Sequence, residues 1–258
     1  MLFVDAHIHP YDLAERMLPG APLSAGQSPA GILHPDTLVC ASAWRFDEFE
    51  WNEKLKKDLP GSVALSFGVH PQLPDSALIP VLETLADQGR IDAIGECGFD
   101  LFPEYREQRA QQDRVWKDQL DIAARYRLPL IIHVRKAMDR IFADTQLLAA
   151  LPAVVFHGWP GSVREAHSIL DRGVNAWFSC GKGLLRGQRS LIAVAREVPV
   201  ERLLTETDAP WMAGKGEEYS HSADISRVFD ALCTLRGCDP ETTARILEKS
   251  FRLVFFGS

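Results

Sequence analysis

The chain has 258 residues, 46% hydrophobic and 24% charged, the balance of an ordinary globular protein long enough to bury one large core. A formal charge of −7 argues against a broad basic surface for gripping nucleic acid, although bound cations would still make a site locally positive. No apolar run approaches the roughly 18–20 residues that span a bilayer. Leu2-Phe3-Val4 gives way at once to Asp5, unlike a secretory leader, and five cysteines without a pairing pattern fit a reducing cytoplasm.

In chain order, strand-like runs are expected at Leu2–His7, Thr37–Ser42, Val63–His70, Ile91–Glu96, Pro129–His133, Ala153–His157, Val174–Cys180 and Arg202–Asp208. Helix-period segments separate them: Phe46–Asp58, Ser76–Gln88, Glu104–Arg127, Arg135–Ala150, Ser162–Arg172 and Leu185–Glu197. Ser222–Arg236 follows the last strand, with Ile225, Val228, Phe229 and Leu232 spaced to share one buried face. A final helix, Pro240–Val254, is expected to close the bottom of the fold. Strands alternating with helices imply a parallel sheet with crossover helices, and eight repeats favour a closed (β/α)8 TIM barrel in a single domain spanning 1–258. The stretch from Leu18 to Pro35 is rich in Pro and Gly and reads as a long, lid-like loop after the first strand, on the barrel's active face.

Six ligand-type residues close these apolar runs: His7 and His9, Glu96, His133, His157 and Asp208. Alternate strand residues share a face, so His7 and His9 point together, with Asp5 deeper on the same side; Glu206 and Asp208 form a similar pair. In a (β/α)8 barrel the C-terminal strand ends ring one mouth, which makes neighbours of groups remote in sequence. A polar residue at one strand end is commonplace. Six crowded imidazole and carboxylate groups suit zinc, manganese and their neighbours, and point to a metal-dependent hydrolase.

Further residues belong to the same mouth by position. His70 ends the third strand and could meet a substrate phosphate, or serve only as a strand-end histidine. Arg135 follows His133 by two; it suits bidentate binding of an anion or a salt bridge to Glu206 or Asp100. Lys182, in Gly181-Lys182-Gly183 after the seventh strand, offers an ammonium to a phosphate or belongs to a simple turn. Cys97 has the opposite parity to Glu96 and is expected to pack away from the mouth.

The segments Val4-Asp5-Ala6-His7-Ile8-His9, Gly68-Val69-His70-Pro71, Gly95-Glu96-Cys97-Gly98-Phe99-Asp100, Ile132-His133-Val134-Arg135, His157-Gly158-Trp159-Pro160-Gly161 and Glu206-Thr207-Asp208-Ala209-Pro210 stand in this order along nearly the whole chain. Together they resemble the signatures of the TatD-related DNases, within the amidohydrolase superfamily. The resemblance implies a TIM barrel with one or two divalent ions, zinc, manganese or magnesium. It implies that His7, His9 and Asp208 hold one ion and His133 and His157 the other, with Glu96 bridging. The chain departs from that pattern in Pro10-Tyr11-Asp12, where the acid is shifted by one, and in Trp159-Pro160-Gly161. It departs again after Asp208, where a basic loop is replaced by Trp211-Met212-Ala213-Gly214-Lys215-Gly216-Glu217-Glu218-Tyr219.

The function so implied is a phosphodiesterase or deoxyribonuclease, 3'-5' exonuclease-like, in which a divalent ion activates water and Asp208 and Glu96 serve catalysis. His70, Arg135 and Lys182 would bind the phosphate, and the substrate would be nucleic acid ends or short single strands, with no membrane partner. The same ligands would also serve an amidohydrolase acting on a small ester, lactone or cyclic amide, or a non-catalytic metal-binding barrel subunit. Oligomeric state is not legible in the sequence.

Overall fold

Parallel strands follow one another around a ring in the computed structural model, which describes residues 1–18 and 29–257. Among the described residues, β1 (Phe3–Ile8), β2 (Thr37–Ala43), β3 (Val63–Phe67), β4 (Ala93–Asp100), β5 (Leu130–Arg135), β6 (Val154–Phe156), β7 (Ala176–Cys180) and β8 (Leu203–Thr205) pair in sequence order. The expected TIM barrel is the fold. Its seam lies between β8 and β1. There the Asp208 amide donates to the His7 carbonyl at 2.9 Å and the His9 amide to the Ala209 carbonyl at 2.8 Å. Lower in the seam the buried Asp5 carboxylate accepts from the Thr207 amide at 2.9 Å and its hydroxyl at 2.6 Å. Asp5, deep on the face it shares with His7, thus replaces main-chain pairing where the two strands diverge.

Helices alternate with the strands: α1 (Pro10–Met17), α2 (Phe46–Asp58), α3 (Ile79–Asp87), α4 (Arg109–Tyr126), α5 (Met138–Ala143), α6 (Thr145–Leu148), α7 (Val163–Asp171), α8 (Arg189–Glu197), α9 (Asp224–Arg236) and α10 (Pro240–Phe255). Local chemistry explains several boundaries. Ser162 and Glu165 form a reciprocal capping box at the start of α7, and Gly237, with φ +61°, ends α9 in the left-handed conformation that glycine adopts without strain. α10 packs against β1, β2 and β8, and its Ser250 hydroxyl donates to the Glu201 carbonyl just ahead of β8.

The expectation for the segment after β1 changes. The segment after β1 begins with α1, whose Pro10 occupies the first turn and whose Leu13 and Ala14 are buried. The sequence pattern carries no helix-period segment long enough to mark one there. Of the expected 18–35 loop, residues 29–32 form a short 3-10 turn, while 19–28, and with them the lid, lie outside the described residues. The five cysteines are unpaired, and Cys97 is buried with its Sγ against the Ile131 carbonyl, away from the mouth as its parity requires. No described helix is long and apolar enough to cross a membrane.

Candidate metal centre

The six ligand-type residues meet at the C-terminal mouth. His7 lies within β1 and His9 just past it; Glu96 is inside β4, His133 inside β5, His157 directly after β6 and Asp208 just beyond β8. Glu96 reaches the centre because β4 lies unusually close to β5. A Cβ on Gly95 would come within 2.6 Å of the Ile131 side chain, and one on Gly98 within 2.2 Å of the His133 carbonyl; both glycines have positive φ. The Gly-Glu-Cys-Gly sequence is therefore a steric requirement for bringing Glu96 and His133 together. Asp208 is itself in the left-handed region, φ +55°, a conformation that costs energy for a residue with a side chain and is found where a site demands it.

The Glu96 carboxylate divides the cluster in two. Its Oε1 lies 3.1 Å from His7 Nε2 and 3.3 Å from His9 Nε2, while Oε2 lies 3.2 Å from His157 Nε2, 3.3 Å from His133 Nδ1 and 3.5 Å from His70 Nε2. His7 and His9 bring their Nε2 atoms within 3.2 Å of each other, and each is 3.7 Å from Asp208 Oδ1. Five imidazoles thus surround two buried carboxylates with their ring nitrogens directed inward. Such a set is costly to bury unless a cation shares its lone pairs. Three overlapping triads have ligand atoms within 4.8 Å of one another: His7–His9–Asp208, His7–Glu96–His157 and His70–Glu96–His133. Nitrogen and oxygen donors of this kind fit a divalent transition metal or magnesium.

Outer partners fix the rings. Ser42 Oγ is 3.0 Å from His7 Nδ1, Asp100 Oδ2 is 3.3 Å from His133 Nε2, and Glu206 Oε1 is 3.4 Å from His157 Nδ1 while accepting from the Gly158 amide at 2.7 Å. Each contact selects the tautomer that turns the other nitrogen toward the centre. Electrostatics in the metal-free protein follow. Burial and the neighbouring His157 lower His7 to about 4. His9, which burial alone would lower, is raised to about 9 by Glu96 and Asp208. Burial raises Asp208 to about 7 against the opposing pull of His157, whereas the histidines hold Glu96 well below the carboxylate range despite its burial.

The remaining sequence candidates separate here. His70 lines the cleft above the centre beside the ligand-type histidines. Arg135 lines it too; of its two expected acidic partners it takes Asp100, at 3.2 Å, and its guanidinium carbon sits 3.8 Å from the centroid of the Phe102 ring. Lys182 is a correction. It is buried at 1% exposure, away from the cleft, with its ammonium on the carboxylates of Glu217 and Asp224. A buried ammonium must be paired, and the acidic loop after Asp208 supplies one partner while the first turn of α9 supplies the other. Ser42 and Gln72, which donates to Asp100 Oδ2 at 2.8 Å, were not foreseen; each is a lone polar residue in an apolar setting with no spacing to mark it.

A (β/α)8 barrel whose mouth gathers buried imidazoles and carboxylates around a shared glutamate defines a metal-dependent hydrolase. Comparison with known proteins narrows the class. The profile of the TatD related DNases matches residues 4–256. The 3'-5' ssDNA/RNA exonuclease TatD of Erwinia amylovora is 34% identical over 202 residues, 73% of this chain and 76% of that one. Its counterpart in Yersinia pseudotuberculosis is 33% identical over 220 residues, 81% and 84% of the two chains. The crystal structure of YjjV, a TatD homolog from Escherichia coli, superposes with a TM-score of 0.78 at 25% identity and 98% coverage of both chains. The chain belongs to the TatD-related DNase family.

Proposed function

We propose that this protein is a phosphodiesterase that removes nucleotides from the ends of single-stranded nucleic acid, 3'-5' exonuclease-like, with two divalent ions drawn from zinc, manganese and magnesium. The observation that carries the reading is the division of Glu96: Oε1 faces His7 and His9, Oε2 faces His133 and His157. His7, His9 and Asp208 would hold one ion and His133 and His157 the other, with Glu96 shared. Bound divalent ions would supply an acidified water and neutralise charge on the phosphoryl oxygens. Asp208, whose Oδ1 stands beside both His7 and His9 at the mouth, would accept the proton from that water. Arg135 and His70, on the β3–β5 side of the cleft, would hold the non-bridging phosphate oxygens, and Asp100 keeps Arg135 oriented.

A cleft of about 540 Å³ has the size of a small-molecule pocket and suits one or two nucleotides rather than a duplex. The chain's −7 charge supports the same limit, since few phosphates would be neutralised and binding would depend weakly on salt. A reducing cytoplasm, where nucleic acid substrates occur, agrees with the unpaired cysteines. Metal-reconstituted protein should degrade end-labelled single strands and spare closed circles of the same composition. Rapid cutting of circles would overturn end-directed action; turnover of a lactone or amide without cleavage of any phosphodiester would overturn the phosphodiesterase reading.

A further inference from the structure

Of the chain's six tryptophans, Trp51, Trp116, Trp159 and Trp177 are buried. The other two, Trp44 and Trp211, both line the cleft above the candidate metal centre, and Trp211 is 45% exposed. Each carries an arginine on its ring: the guanidinium carbon of Arg45 is 4.8 Å from the Trp44 ring centroid, and that of Arg16 is 5.3 Å from that of Trp211. Trp44 follows β2, Trp211 follows β8, and Arg16 comes from α1 after β1, so the three belong to consecutive strands of the ring. His70 and Arg135 come from the other side, after β3 and at the end of β5. An aromatic wall therefore faces a cationic one across the ligand cluster.

The loop that carries Trp211 is pinned. Arg186 donates to the carbonyls of Met212 and Ala213 at 3.3 Å each, the Gly214 amide donates to Glu217 Oε2 at 2.7 Å, and Glu217 is tied to the buried Lys182. Among the described residues Trp211 shares the cleft lining with Trp44, Leu73 and Met212, an apolar set at a concave mouth that suits a ligand with a flat apolar face. Arg16 has no ion-pair partner among the described residues, although the chain is acidic, which leaves its charge for an anionic ligand.

We propose that Trp44 and Trp211, each backed by its arginine, form a stacking subsite for the unpaired bases of a single strand whose terminal phosphodiester lies at the metal centre. The proposal rests on the phosphodiesterase reading and adds how strands are chosen. Stacking accepts any base because every base has a π-face, so the subsite selects for unpaired bases rather than for sequence. The guanidinium on each ring adds cation–π attraction; Arg16 would also draw an adjoining phosphate, whereas Arg45 is held by Glu48 and Asp47 and serves to fix the Trp44 ring. Bases inside a duplex already stack on their neighbours and have no face to offer.

The test uses the metal-loaded protein and two end-labelled single strands, one ordinary and one carrying stable abasic units over its terminal positions. Trp211→Ala should lower kcat/KM on the ordinary strand about 5- to 150-fold, chiefly through KM, and leave the abasic strand nearly unaffected; Trp44→Ala should behave likewise. Trp211→Phe should keep most of the activity, since it retains a ring to stack on. Because Trp211 is exposed, both of its variants should melt close to the parent, which separates loss of stacking from loss of fold. Equal losses on the two strands, or none on either, would overturn the subsite while leaving the phosphodiesterase reading intact. Parent protein that cleaves neither strand would overturn both.

Discussion

Glu206 Oε1 sits 3.4 Å from His157 Nδ1, and two residues further along the same chain Asp208 Oδ1 faces His7 and His9. One short segment after β8 therefore supplies both an inward carboxylate and the outer partner of a histidine on the far side of Glu96. Any shift of this segment moves both halves of the centre together.

Glu206→Gln tests the outer role. Burial would raise the Glu206 carboxyl, but His157 holds it below its ordinary value, so the charged form is the one facing the ring. Glutamine keeps the size, can still accept from the Gly158 amide and removes the charge. Divalent-ion affinity should fall about 10- to 100-fold, as for other outer-shell partners of histidine ligands, and excess metal should restore much of the activity. A direct titration showing unchanged affinity would mean that Glu206 only supports the Gly158 turn.

Asp208→Asn removes the proposed proton acceptor without changing the shape. Asparagine is among the few residues that tolerate a left-handed backbone, so the φ of +55° can persist and the protein should melt near its normal temperature. Turnover should drop by at least ~10²-fold at matched metal loading. Asp208→Ala should lose stability as well, because the backbone strain remains and the small polar side chain that accommodates it is gone. An Asp208→Asn protein with near-normal turnover would place the base elsewhere.

The barrel and the six inward residues were legible because strand parity and strand ends are local properties, and the barrel turns local positions into a common mouth. β6 and β8 proved shorter than their apolar runs, since His157 and Asp208 already belong to the turns that leave the barrel. α1 is not legible in the sequence because the start signals at Pro10 and Asp12 run within a few residues into a Pro- and Gly-rich stretch, which leaves too short a periodic run to mark a helix. Lys182 was misread for a different reason. Gly-Lys-Gly looks like an open turn, and its burial depends on Glu217 and Asp224, 35 and 42 residues away. Trp44 and Trp211 gave no signal either, because exposure of an indole is decided by packing and not by spacing.

Lys182→Met separates those roles. The ammonium is buried, and removing it leaves Asp224, 7% exposed, and the more open Glu217 with only the exposed Arg227 between them. The cost should be about 3 kcal/mol, at the low end for breaking a buried ion pair because Glu217 is partly solvated. Melting should then fall by roughly 6–12 °C, while KM on an abasic strand, below the melting transition, stays near normal. A large rise in that KM without a change in melting would return Lys182 to the phosphate.

Metal affinity should climb with pH between about 6 and 9. In the metal-free site His9 keeps its proton up to about 9, because Glu96 and Asp208 outweigh its burial, and Asp208 titrates at about 7. A cation must displace a proton from His9 across most of that range and from Asp208 over its lower half. Affinity for zinc or manganese therefore rises steeply from pH 6 to 7, where the Asp208 proton competes as well, and more gently from 7 to 9, where the protons held by His9 and His157 still compete. The sign is fixed by competition: protons bound in the metal-free state weaken binding wherever the metal-bound state has lost them. Calorimetric titrations in two buffers of different ionisation heat, repeated at each pH, count the protons released. An affinity flat across this range with no proton release would remove His9 and Asp208 from the ligand set, and with them the first of the two proposed metal positions.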